Sequence, residues 1–503
     1  MRKSGILLPV SALTGEYGIG DFGKGALHFI DFLRSTACSV WQILPITTIG
    51  MGNSPYSGVS TFGGNYLFVD LTAFPERWIS QAELAALKYN GTPYRVNYAH
   101  AKWAKKEGLK LAFSRLNDDD RAELQSFAAQ NADWLEDYAV YMALKETEGE
   151  GGWMHWPEKL RLRDPATLKA YRKQYADLIE FYRFEQMVFF KQWRALKRYA
   201  NENGVEVFGD LPIYVAEDSV DVWAHPELFL LDKNLRPTKV AGVPPDYFAE
   251  DGQLWGNPLY DYKRMEKDGF GWFVRRIVHN LDLYDILRID HFRGLHRYWA
   301  VPAGAATAKE GAWEEGPQMK LWKEVRKVVP NPRIVAEDLG IIDDGVVQYL
   351  ADTGFPGMRV FQFAFDGFKE NPHLPYNYIR NTVAYSATHD NTTTLGWLYE
   401  LNPETRAEVL RYIDFAGNDW GTGGRNATAV KSIWRTLLSS VADTVIFPLQ
   451  DLCAYGGDTR LNIPGVAEGN WEFRATLGTL EDVDVEFLRY LNVLYGRVNG
   501  GIC

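Results

Sequence analysis

Three carboxylates, each late in a short apolar run, are the side chains whose types and spacing could do chemistry together. They are Asp290 in Ile-Leu-Arg-Ile-Asp-His-Phe-Arg-Gly (286–294), Glu337 in Arg-Ile-Val-Ala-Glu-Asp-Leu-Gly (333–340) and Asp390 in Thr-His-Asp-Asn (388–391). Alternation along an extended chain puts Arg288 and Asp290 on one face, with Ile289 and His291 on the other. A guanidinium beside a carboxylate keeps it ionised, which suits a nucleophile. A second carboxyl that holds its proton can protonate a leaving oxygen, and such a pair can break a glycosidic bond. Arg288 and His389 would then hold the nucleophile anionic and bind hydroxyls. Each residue also has a structural reading. Arg288 and Asp290 could brace a loop, Glu337-Asp338 could cap a following helix, and Asp390 could make an Asx-turn. His291, His296 and His389 could ligate a metal, although the HxH and HExxH spacings are missing. Three acids at three separate strand ends favour a shared site over three coincidences.

The elements that must position these acids are strands separated by helical or loop-rich stretches. Apolar runs mark strands at 5–10, 40–46, 205–214, 286–292, 333–340, 357–363, 382–390 and 443–451, with Asp210 near the tip of the third. Eight such strands match an α/β fold of the (β/α)8 TIM barrel type, in which polar residues at C-terminal strand ends carry the chemistry. A doubly wound sheet is the alternative, and it lacks support because no GxGxxG or Walker loop follows any strand. Residues 75–180 read as an inserted helical subdomain between the second and third strands, and 215–275 as a loop-rich insertion between the third and fourth. The whole chain, 1–503, then reads as one catalytic barrel with largely helical insertions around its C-terminal face. A long amphipathic helix over 181–201 closes near Gly204.

Composition narrows the partners. A net charge of -11 argues against nucleic acid, which needs clustered Lys and Arg. Aromatic residues make up 14% of the chain, with 17 Trp, enough to fill a core and to stack on a flat apolar ligand face such as a sugar ring. Cys38, Cys453 and Cys503 are few, odd in number and far apart, which reads as a reducing compartment. The N-terminal apolar run breaks at Pro9, too short for a signal peptide, and no run reaches the roughly 18 residues a membrane span needs. The expectation is a cytoplasmic protein with no membrane partner and no cofactor; the oligomeric state is left open.

The motifs at 288–294, 336–340 and 388–391 resemble those of the amylomaltases, the 4-α-glucanotransferases of glycoside hydrolase family 77 in the α-amylase superfamily. Further matches are Trp41-Gln-Ile-Leu-Pro45, Ser54-Pro-Tyr56, Gly209-Asp-Leu-Pro212, Pro244-Pro-Asp-Tyr-Phe248, Gly252-Gln-Leu-Trp-Gly-Asn-Pro258 and Asp458-Thr-Arg-Leu-Asn462. The resemblance implies Asp290 as nucleophile, Glu337 as acid/base and Asp390 as stabiliser of an oxocarbenium-like sugar. It implies sugar contacts from Tyr56, Asp210, Trp255, Arg288, His389, Asn257 and Asn462, with Tyr247 and Phe248 on a lid over 246–258, and no metal. The implied reaction moves α-1,4-glucan segments from malto-oligosaccharide or starch-like donors to the 4-hydroxyl of glucose or an α-glucan; an α-glucan hydrolase is the alternative. Retention by double displacement needs the two acting carboxyls roughly 5 to 5.5 Å apart. No β-sandwich of the α-amylase type is expected after Asn462. Met51 stands where relatives carry an aromatic in a second glucan-contact site.

Overall fold

A computed structural model of the chain describes residues 2–50, 52–149, 151–245, 250–466 and 468–498. Eight parallel strands form one sheet: β1 (Lys3–Leu7), β2 (Val40–Gln42), β3 (Glu206–Leu211), β4 (Ile286–Ile289), β5 (Ile334–Ala336), β6 (Gly357–Val360), β7 (Thr382–Tyr385) and β8 (Thr444–Pro448). Their order is β6-β7-β8-β1-β2-β3-β4-β5, so the first and last strands in sequence pair inside the row, Lys3 opposite Thr444 and Leu7 opposite Pro448. The two ends of the row meet. The Ala336 amide donates to the Pro356 carbonyl at 2.9 Å, and Asp338, just past β5, accepts from the Met358 amide in β6 at 2.6 Å. This closes the (β/α)8 barrel.

Alternation along the short strands explains why they are apolar throughout. Leu7, Val40, Phe208, Ile286, Val335, Met358, Val383, Tyr385 and Ile446 form one buried cluster. Their neighbours Ile6, Trp41, Val207, Leu287, Ile334, Ala384 and Val445 belong to another, shared with the surrounding helices. A parallel strand covered on both faces has no solvent side to make polar. Gly209 is required where β3 passes the Tyr284 ring, since a Cβ there would lie 2.2 Å from it.

Every expected strand forms, and most are shorter than expected at the C-terminal end. The 286–292 run stops at Ile289, 333–340 at Ala336 and 382–390 at Tyr385. The strands end immediately before Asp290 and Glu337, whereas a turn separates the end of β7 from Asp390. Asp290 still donates its amide to Leu211 O at 3.0 Å, and then His291 turns with φ 49° into the 3-10 turn Phe292–Leu295. Hydrophobic runs overestimate such strands because the residues past the ladder are buried too.

Between β2 and β3 the described elements are all helical. They include Tyr98–Ser114, Asp118–Gln130, Ala132–Glu148 and Ala176–Glu202, the last starting earlier than the expected 181. A second sheet has no counterpart in the sequence reading. Its strands run antiparallel in the order Gln253–Pro258, Lys239–Val243, Arg297–Pro302, Ala312–Glu315. Part of the stretch read as a lid over 246–258 is thus a strand. Gln253 to Gly256 are exposed, so no alternation announces it, and a register shift near Gly242 interrupts its pairing. Among the described residues no strand follows β8, and no helix is long and apolar enough to cross a membrane.

Candidate active site

The site is built outward from Arg288. Its side chain leaves β4 into the barrel mouth and is only 5% exposed, so its charge must be matched locally. One guanidinium nitrogen donates to Asp210 at the tip of β3 (2.6 Å) and the other to Asp290 just past β4 (2.8 Å). Asp210 and Asp290 flank the cation differently. Asp210 is fully buried and also accepts from the Tyr56 hydroxyl at 2.7 Å, whereas the Asp290 side chain is 31% exposed. Asp210, expected as a sugar contact, therefore anchors Arg288 and Tyr56. Among the described residues Asp290 is held through Oδ1 alone, by Arg288. Burial pushes the Asp290 carboxyl up, Arg288 pulls it back, and the charges of Asp210 and Asp390 add to the upward push.

Glu337 follows β5 immediately. Its Oε2 accepts from the His291 amide at 2.8 Å and its Oε1 from the Leu339 amide at 2.7 Å. Burial drives its pKa to about 7, Arg288 opposes this, and the negative charge of Asp290 adds to it. The helix-cap reading of Glu337-Asp338 does not hold: Asp338 bonds β6 through the Met358 amide and Arg359, while Asp343 caps Asp344–Thr353. The turn reading of Asp390 fails likewise: its carboxylate is taken by Asn462 and His389, and it is the neighbouring Asn391 side chain that accepts from the Thr388 amide and hydroxyl.

Asp390 comes from the turn after β7 and is held from both sides. Asn462 donates to Oδ1 at 2.6 Å, the His389 ring lies 3.3 Å from Oδ2, and Arg460 donates to its backbone carbonyl at 2.8 Å. Burial alone would raise this carboxyl. His389 and Asn462 outweigh burial and keep it well below the usual carboxylate range. His389, expected to contact Asp290, has its ion contact with Asp390. It stacks on Tyr56 with centroids 5.1 Å apart.

Across the mouth, Trp255 stands edge-on to His291 at 4.8 Å and is 38% exposed. Asn257, on the same strand, donates instead to the Val215 carbonyl at 2.9 Å and fixes the loop after β3. Tyr247, Phe248 and Met51 lie outside the described residues. Two contributors were not singled out by the sequence reading. Arg460 lies within the 458–462 motif, and Trp471, whose ring lies 5.9 Å from Tyr56 and 6.0 Å from His389, stands in no quoted motif. The three histidines weighed as metal ligands do not converge: His291 faces Trp255, His296 stacks on Tyr349 and His389 on Tyr56. Among the described residues no group of three or more His, Cys, Asp or Glu is placed to hold a metal.

Residues 8–479 match the family model described as 4-alpha-glucanotransferase. The chain belongs to glycoside hydrolase family 77. It is 41% identical to a 4-alpha-glucanotransferase of Streptococcus pneumoniae, over 99% of this chain and 98% of that one. It is 42% identical to one of Thermus thermophilus, over 95% and 96%. Among solved structures it is similar to an amylomaltase from Streptococcus agalactiae in complex with acarbose, with a TM-score of 0.94 and 36% identity, covering 99% of this chain and 100% of that one. The family model runs from just past β1 to beyond Trp471, takes in β2 to β8, and so includes Asp290, Glu337 and Asp390.

Proposed function

We propose that Asp290, Glu337 and Asp390 carry a double displacement on α-1,4-glucans. The enzyme is a 4-alpha-glucanotransferase, and the residue roles follow from the charges around each carboxyl. Asp290, held by Arg288 with one side open to the cleft, attacks the anomeric carbon. The glycosidic C–O bond breaks as Glu337 gives its proton to the departing 4-oxygen, leaving a glucosyl ester on Asp290. An acceptor 4-hydroxyl then passes its proton to Glu337 and attacks the same carbon, releasing Asp290 with net retention. Asp390, kept ionised, faces the positive charge that develops on the ring in both steps.

The observation that carries this reading is the dependence of Glu337 on Asp290. Glu337 sits near neutrality partly because Asp290 is negative. Once Asp290 is esterified that charge is gone, so the Glu337 pKa falls and the acid becomes the base the second step needs. An exposed Trp255 offers a face for a sugar at the mouth. Tyr247 and Phe248 belong to the proposal through the sequence resemblance: an aromatic lid that excludes water would leave a sugar hydroxyl as the acceptor. The division into one barrel with insertions at 75–180 and 215–275, a cytoplasmic location and malto-oligosaccharide substrates complete the reading.

Incubation with maltotriose tests the activity. Transfer gives glucose together with a ladder of longer oligosaccharides. Shortening alone, without any longer product, would replace the transferase reading by the hydrolase one.

A further inference from the structure

The two hydrogen bonds that hold the Glu337 carboxylate come from backbone outside any strand or helix. His291, which donates to Oε2, is in a left-handed turn after β4, and Leu339, which donates to Oε1, precedes Gly340 at φ 86°. No sheet ladder fixes either donor, yet their positions set both the direction and the proton affinity of the acid. Arg293 spans the gap between them. It lies two residues past His291 and is 3% exposed. One guanidinium nitrogen donates to the Ile341 carbonyl, two residues past Leu339, and the other lies 3.4 Å from Asp343. Asp343 caps the helix Asp344–Thr353, so the far end of the strap is fixed. The guanidinium also lies 4.0 Å from the centroid of Trp313, on the second sheet that carries Trp255 at its opposite edge. A guanidinium presents its donors in a rigid planar fork that also stacks flat on an indole; an ammonium, a compact point charge on a flexible stem, has neither property.

We propose that Arg293 is a positioning residue for the acid/base, strapping together the two segments whose amides grip Glu337. It touches no reacting atom. Without it the donor amides lose their fixed geometry, and Glu337 loses its aim and its tuned proton affinity. The inference rests on the reading of Glu337 as the acid/base.

A pair of donors separates this role from simple bracing of a loop. The sugar oxygen leaving from maltotriose needs a proton, whereas fluoride leaves α-maltosyl fluoride without one. For each donor, kcat/KM reports the steps through formation of the glucosyl ester. Arg293→Ala is expected to lower kcat/KM for maltotriose by about 10²-fold, at the lower end of general-acid effects, and to lower it far less for the fluoride. The descending limb of its pH profile should also move to higher pH, because the amides that Arg293 positions favour the ionised form of Glu337. Arg293→Lys should fall between the wild type and Arg293→Ala on maltotriose, and it carries the comparison alone if the alanine variant does not fold. Glu337→Ala is the reference and should show the same preference for the fluoride. If Glu337→Ala shows it and folded Arg293 variants lose both donors equally, or lose neither, the positioning role is overturned. If Glu337→Ala itself loses both donors equally, the acid/base reading falls as well.

Discussion

Glu337 past β5 and Asp451 past β8 are both buried acids at the mouth end of the barrel, and burial raises both carboxyls. Their partners differ. Asp451 accepts from the Ser386 hydroxyl at 2.6 Å, the Thr394 amide at 2.6 Å and the Thr394 hydroxyl at 2.7 Å, all neutral groups that tie the segment past β8 to the end of β7 and to the start of the helix Thr394–Glu400. Glu337 is gripped by two amides and lies in the field of Arg288, Asp290 and Asp338. A buried acid surrounded by neutral donors keeps one state throughout. A buried acid whose neighbours include a carboxylate that is consumed and released must change state with it. Position at a strand end and burial are therefore shared by scaffold and candidate chemistry alike; the charges nearby separate them.

Removing the proposed nucleophile breaks the comparison most severely. Asp290→Asn should lower turnover on maltotriose by about 10⁴-fold or more, with its melting temperature little changed. Asp451→Asn should do the reverse, leaving most of the turnover and costing about 1–3 kcal/mol of stability through a disturbed buried network. Equal losses of activity in the two variants would erase the difference between the two acids.

Glu337 offers a sharper test through pH. A carboxyl raised to about 7 in the fold binds its proton more tightly there than in the unfolded chain, so it favours the folded state at low pH. That contribution is lost as pH rises from the ordinary glutamate value through about 7. Glu337→Gln should thus melt higher than the wild type at pH 8 and at nearly the same temperature at pH 4. In the wild type, kcat/KM should decline over the rise through neutrality, because ester formation needs the protonated acid. A Glu337→Gln melting temperature that follows the wild type at both pH values would contradict the raised pKa.

The smallest effect is expected at the anchor. Tyr56→Phe removes one hydroxyl from Asp210 and leaves the ring on His389, so a loss of about 1 kcal/mol in ligand binding is expected, seen in KM more than in kcat. A large fall in kcat would instead place the Tyr56 hydroxyl among the groups that act on the transition state.

Much of this site was legible because its residues lie in short contiguous motifs. Arg288 and Asp290 share a face by alternation, and the structure joins them at 2.8 Å. Trp471 could not be found that way. It reaches Tyr56 and His389 from a distant segment after β8, held by its amide on the Leu461 carbonyl and by the Tyr98 hydroxyl on its own carbonyl. The second sheet was hidden for a related reason: its strands come from either side of β4 and pair only after the barrel has brought them together. Asp210 and Asn257 were found as polar residues near the mouth, but whether such a residue meets solvent or a neighbouring side chain is not written in a motif.

The amino-acid sequence by itself determined the eight-stranded pattern, the three acids and their order along the chain, because local periodicity and spacing carry that information. Only the tertiary structure decided how the charges are shared. Arg288 divides its two nitrogens between a buried Asp210 and an open Asp290, and Glu337 takes its proton affinity from burial, from amides on two different loops and from the charge of Asp290. Coulomb interactions and desolvation depend on distance in space, and the barrel sets those distances by bringing the ends of β3, β4, β5 and β7 to one mouth.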